Sequence, residues 1–217
     1  KWSRVWLVLL AVLVVAMPLV ASLPASAITN GTIDNDHPYV GALIIEFPPP
    51  IDVGLDFGWC SGTLISPRAF LTAGHCFFLA SLQSGFPMDA IPVDKIFVSF
   101  APNILQDRKS WRAVASYETH PDFFVPTGDF AFGWAHDVAV VILDKPVKQV
   151  TPGKLAPLGL LTDLEASGEL LKAKLTVVGY GMNEDFKLTG DRRVASADFL
   201  PPLYSSWLGL SRASHEN

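Results

Sequence analysis

The sequence has 217 residues, 50% of them hydrophobic and 17% charged, which is enough for one or two domains with a buried core. This apolar share excludes an intrinsically disordered protein. The formal charge is −5, from 16 basic and 21 acidic residues, and such an acidic chain is not expected to bind nucleic acid. Seventeen prolines and sixteen glycines predict many turns and short strands, not long helices.

The first 27 residues have the pattern of a secretory signal peptide. A basic start is followed by the unbroken apolar run Val5–Ala21 and by the small residues Ala25–Ala27. A retained membrane-spanning helix is the alternative, but such a helix needs about 20 apolar residues. This run has 17 and contains Pro18. We therefore expect a secreted protein that meets the membrane only during export and whose mature chain begins at Ile28.

From Ile28 onward, short apolar segments alternate with turn-forming residues, and no sustained helical period is present. Strands are predicted over Tyr39–Glu46, Trp59–Ile65, Ala69–Thr72, Ile96–Phe100, Trp111–Tyr117, Val138–Leu143, Lys174–Tyr180 and Arg193–Phe199. A short helix over Leu161–Ala173 is weakened by Gly168, and Phe77–Asp94 and Asp122–Ala135 are predicted to be long irregular stretches. This pattern is typical of an all-β barrel or sandwich.

The chain has two cysteines, Cys60 and Cys76. Export leads to an oxidising environment, in which they are expected to form a disulfide. The bond would close a loop of about 15 residues and stabilise the fold by about 3 kcal/mol. Two free buried thiols are the alternative.

Two residues have sequence environments that suit proton-transfer chemistry. His75 directly precedes Cys76, and a disulfide there would help to hold the imidazole of a general base in one orientation. Asp137 stands before the apolar strand Val138–Leu143, where a buried carboxylate needs hydrogen-bond donors. The imidazole N–H of His75 would be a suitable donor. The alternatives are that His75 is an ordinary histidine and that Asp137 only caps a turn.

Metal binding is not indicated by the residue spacing. The five histidines are His37, His75, His120, His136 and His215. No pair among them has the spacing of a zinc helix or knuckle, and no acidic segment resembles a calcium loop. We therefore expect no metal and no other cofactor.

Taken together, these segments resemble the trypsin-like (chymotrypsin-fold) serine proteases. Thr72–Cys76 is similar to that family's histidine motif Thr-Ala-Ala-His-Cys, with Gly74 in place of the second alanine. Four further matches follow the family's order: Ile28–Gly31 to the mature N-terminus, His120–Pro121, Asp137–Val140 to the catalytic-acid motif, and Val178–Gly181 to the opening of the second barrel.

The resemblance implies one peptidase domain over residues 28–217, built as a double antiparallel β-barrel. The first barrel would be complete, over about 28–150, and the second partial, over about 151–217. The implied activity is that of a secreted, monomeric serine endopeptidase acting on polypeptides through an acyl-enzyme. His75 would be the general base and acid, and Asp137 would hold its tautomer and stabilise the imidazolium.

The family's nucleophile motif, Gly-Asp-Ser-Gly-Gly, is absent from this sequence. Ser61 belongs to a predicted strand, and none of the late serines has the flanking glycines. We therefore expect a C-terminally truncated fragment whose nucleophile lies in sequence following Asn217, and which is inactive without it. The alternative is a secreted, non-catalytic protease homologue that acts as a binding protein.

Processing of the N-terminus can be tested directly. Because Ile28 immediately follows the predicted cleavage site after Ala27, signal peptidase alone should generate the mature terminus. N-terminal sequencing of the secreted protein should then read Ile-Thr-Asn-Gly. A start several residues earlier would indicate a separate propeptide.

Overall fold

The architecture consists mainly of short antiparallel strands, as a computed structural model shows. The structure describes residues 31–46, 57–123, 136–183, 185 and 187–198. The strands are β1 (Thr32–Ile33), β2 (Val40–Glu46), β3 (Phe57–Leu64), β4 (Ala69–Thr72), β5 (Ile96–Ser99), β6 (Arg112–Thr119), β7 (Ala139–Leu143), β8 (Lys174–Gly179) and β9 (Arg193–Asp198). Within the described residues, two α-helices, α1 (His75–Ser84) and α2 (Leu160–Ala166), lie between these strands. The all-β prediction is confirmed.

Six of the strands close into an antiparallel barrel in the order β2-β3-β4-β7-β6-β5. β2 completes the closure because it pairs with β3 along one edge and with β5 along the other. Apolar side chains from all six strands fill the interior, among them the fully buried Leu43, Phe70, Val98 and Val141. The predicted first barrel is therefore present as a closed, packed unit.

β2 is buried on both faces, which explains why its sequence is an apolar run and not an alternating pattern. Leu43 and Ile45 belong to the barrel core. Ala42 and Ile44 belong to a second cluster outside the barrel, which also contains Tyr180.

The remaining strands form a three-stranded antiparallel sheet in the order β1-β9-β8, consistent with a partial second barrel. Tyr180, directly after β8, attaches this sheet to the first barrel. Its hydroxyl donates to the carbonyl of Ala101 at 2.7 Å, and its own carbonyl accepts from the Trp59 indole at 2.8 Å. Burial raises the pKa of Tyr180 to about 12, so the hydroxyl stays protonated as a donor. Leu175 and Val177 on β8 are 43% and 41% exposed.

The prediction that Phe77–Asp94 is wholly irregular is wrong, because α1 occupies its first part. The run His75–Ser84 contains no glycine or proline, and it ends at Gly85, which adopts a φ of 75° and donates its N–H to the Ser81 carbonyl. In this run, adjacent aromatic residues and irregularly placed polar residues obscure the 3.6-residue period of a helix. The hydrophobic pattern therefore did not predict α1.

The helix predicted over Leu161–Ala173 is present but shorter. It covers Leu160–Ala166 and stops before Gly168, whose φ of 73° is a left-handed conformation that ends a helix. A 3-10 turn over Leu170–Lys172 follows.

Several predictions lie outside the described residues: the signal peptide, the mature terminus at Ile28, all but the start of Asp122–Ala135, and the late serines. Within the part of the chain that the structure describes, no helix is both long enough and apolar enough to cross a membrane.

A buried ion pair joins the N-terminal segment to the second sheet. The Arg192 guanidinium donates to the Asp34 carboxylate at 2.9 Å, and it also donates to the carbonyls of Val40 and Phe100. Both charged side chains are at most 3% exposed. His37 donates its backbone N–H to Asp34 and places Nδ1 2.6 Å from the same carboxylate. Desolvation alone would raise the pKa of Asp34, but hydrogen bonds from His37 and Arg192 outweigh it and hold the pKa below its usual value.

Asp34→Asn should destabilise the protein by about 3–5 kcal/mol near neutral pH, because it leaves the buried Arg192 without its counter-charge. Since the pKa of Asp34 is lowered in the folded state, its contribution is complete above its unfolded pKa of about 4 and is lost as the pH falls through the folded value. Urea unfolding should therefore show a variant-to-wild-type difference that shrinks in acid. The exposed Asp163→Asn is the control, and a pH-independent difference would contradict the account.

Candidate active site

His75 and Asp137 are in direct contact although 62 residues separate them in sequence. The Asp137 carboxylate accepts two hydrogen bonds from the same residue. Oδ1 accepts from the backbone N–H of His75 at 2.7 Å, and Oδ2 lies 2.7 Å from the imidazole Nδ1. The side chains are 31% and 26% exposed, so the pair is accessible from the surface.

Strand register places these two residues together. β4 and β7 are antiparallel neighbours, and Thr72 at the end of β4 is paired with Ala139 at the start of β7. His75 follows Thr72 by three residues, and Asp137 precedes Ala139 by two, so both leave the barrel at the same end. The Thr72 hydroxyl donates to the Ser61 carbonyl on β3 at 3.0 Å and fixes the end of β4.

Asp137 also serves as the N-terminal cap of α1. The residue in the N-cap position, Gly74, has no side chain that could accept a hydrogen bond. The carboxylate of Asp137, which is distant in sequence, accepts the backbone N–H of His75 instead. An ionised carboxylate only accepts hydrogen bonds, and Nδ1 of His75 must therefore carry a proton. A histidine held in this tautomer can accept a proton at its other ring nitrogen, Nε2, and deliver it again.

The predicted disulfide is present. Cys60 on β3 and Cys76 in the first turn of α1 are bonded, with their Cα atoms 6.2 Å apart. The bond joins the start of the helix to the barrel immediately beside His75. The sulfurs and a His75 ring nitrogen lie within 4.8 Å of one another, but bonded sulfurs are not thiolates and provide no metal ligand.

Ser61 lies on a strand, β3, as predicted, and its side chain makes a structural contact. Its hydroxyl oxygen accepts the backbone N–H of Tyr180 at 2.9 Å, which links β3 to the end of β8. The contact contributes to the junction between the first barrel and the second sheet.

Sequence reasoning missed the contacts of three residues near the pair: His120 and His136, whose rings stack, and Phe123, which lies against Gly74. The His120–Pro121 match and the histidine directly before Asp137 were visible in the sequence. No sequence pattern showed that these side chains meet.

Comparison with known proteins identifies the family. The Trypsin family profile matches residues 32–196. The chain belongs to the trypsin family. Among solved structures, the VesB protease of Vibrio cholerae superposes with a TM-score of 0.54 at 21% identity, over 78% of this chain and 44% of the VesB chain. This similarity shows that the two share a fold, and the present chain spans less than half of the VesB chain. No curated protein matches the sequence significantly.

Proposed function

We propose that this chain is part of a secreted serine endopeptidase in which His75 and Asp137 are two members of the catalytic triad. The observation that carries the proposal is the two-point hydrogen bond from His75 to the Asp137 carboxylate. One bond fixes the backbone of the histidine and the other fixes its ring. This arrangement is what a general base requires, since it must keep one tautomer and one orientation while its proton moves.

The chemistry follows from the two ends of the imidazole. With Nδ1–H held by Asp137, Nε2 takes the hydroxyl proton of a serine as that serine attacks the scissile carbonyl. The resulting imidazolium is stabilised by Asp137, and it then gives the proton to the leaving amine as the acyl-enzyme forms. In the second half of the reaction, a water molecule gives a proton to Nε2 and attacks the acyl-enzyme. This step releases the carboxylic acid product, and the proton returns to the serine. His75 would therefore be base and acid in turn, while Asp137 stays ionised.

The nucleophile and the oxyanion donors belong, in this proposal, to sequence outside these 217 residues. Two observations support it: the sequence contains no Gly-Asp-Ser-Gly-Gly segment, and the chain covers 44% of VesB. The three-stranded sheet would then be the start of a second barrel over about residues 151–217 and beyond. Leu175 and Val177, exposed on β8, are suitable for packing against its further strands.

Secretion is supported by the signal-peptide pattern of residues 1–27 and by the disulfide, which persists in an oxidising compartment. The proposed mature chain starts at Ile28 and works as a monomer on polypeptides.

A non-catalytic binding protein on the same scaffold is the alternative. It is favoured by the missing nucleophile segment, and the intact His75–Asp137 contact argues against it. A transcript that continues past Asn217 into Gly-Asp-Ser-Gly-Gly would support the protease. A natural stop codon directly after Asn217 would support the binding protein.

In the complete protein, Asp137→Asn should leave folding largely intact and lower peptide turnover by about 10⁴, the size of the effect in the Ser-His-Asp template. The amide would force the wrong tautomer on His75. Turnover of a peptide substrate is the measurement, and circular dichroism checks the fold.

The matched control is Asp144→Asn, which neutralises an exposed acid at the other end of β7. It should change turnover little. A loss of less than about tenfold in a folded Asp137→Asn protein would exclude Asp137 as the triad acid.

A further inference from the structure

We propose that the turn His120–Phe123 positions the His75–Asp137 pair. The proposal rests on the proposed function only in treating that pair as catalytic. The contacts that carry it are independent of any nucleophile.

His120 supports the aspartate side of the pair. Its ring stacks on that of His136, with centroids 4.6 Å apart and planes at 11°. His136 directly precedes Asp137 and has a φ of 54°, a left-handed conformation that is uncommon outside glycine and persists where the surroundings hold it. The His120 backbone N–H also donates to the Val138 carbonyl at 2.9 Å. His120 thus holds the residues on both sides of Asp137.

Phe123 supports the histidine side. Its backbone N–H donates to the His120 carbonyl at 2.9 Å, which closes the turn. Its ring packs against Gly74: a Cβ atom added to Gly74 would lie 3.2 Å from the nearest carbons of the ring. Gly74 directly precedes His75. One four-residue turn therefore contacts the residue before each member of the pair, and the missing Cβ of Gly74 makes room for the contact.

The ring of His120 is also held within its own turn. The Asp122 backbone N–H donates to Nδ1 of His120 at 3.1 Å, so this nitrogen is an acceptor and the contact orients the ring.

The test measures the His75–Asp137 contact by NMR in the 217-residue chain, as the rate at which the Nδ1 proton of His75 exchanges with water. His120→Ala removes the stacked ring and should accelerate exchange about tenfold near pH 8. His120→Phe keeps a flat aromatic ring that can stack on His136, and it should stay within about twofold of wild type at that pH.

A further variant separates positioning from general stability. Tyr117→Phe is the control: it removes hydrogen bonds to Ile91 and Met88 from β6 while keeping the ring, so it lowers stability without touching the turn. It should leave exchange at His75 unchanged.

Equal exchange in wild type and His120→Ala would overturn the proposal, and so would an equal acceleration by Tyr117→Phe. Because the readout needs no serine, a complete protein that hydrolyses nothing would refute the protease function and leave the positioning result intact.

Discussion

The carboxylate of Asp137 is the group on which the arrangement of the site depends. It accepts the backbone N–H and the ring Nδ1 of His75 together, so one side chain caps helix α1 and orients the imidazole at its start. A carboxylate at a helix N-terminus is favourable because the first amides of a helix have no partners within it. The same contact that satisfies the helix therefore leaves Nε2 of His75 as the nitrogen that can take up a proton. Asp137 therefore both caps α1 and orients the ring of His75.

The barrel fixes the positions of His75 and Asp137 relative to each other. Pairing of Thr72 with Ala139 fixes the distance between the ends of β4 and β7, and a one-residue slip would turn every side chain to the other face. The disulfide ties the first turn of α1 to β3, and Tyr180 ties the second sheet to the same barrel. The buried pair of Asp34 and Arg192 adds a further link between the N-terminal segment and that sheet. Apart from the disulfide, each of these links joins elements that are distant in sequence.

Much of this could be predicted from the sequence. Short apolar segments separated by turns indicated the strands, and motif resemblance indicated His75 and Asp137. The signal-peptide pattern, which implies export to an oxidising environment, indicated that Cys60 and Cys76 would pair. The helix α1 was missed because its adjacent aromatic residues obscure the 3.6-residue period. The stacking of His120 on His136 could not be predicted, since it depends on a left-handed backbone at residue 136 and on the register of β6 with β7. Local patterns indicate elements, whereas contacts between side chains depend on how those elements are paired.

The account is tested most directly by trapping the acyl-enzyme. The complete protein would be mixed briefly with an activated ester and its mass measured, with the His75→Ala variant treated in parallel. We predict an added acyl group on the serine of Gly-Asp-Ser-Gly-Gly, formed at least about 10⁴ times faster in wild type than in His75→Ala. Absence of acylation, or acylation at the same rate in both proteins, would contradict the proposal that His75 activates a nucleophile.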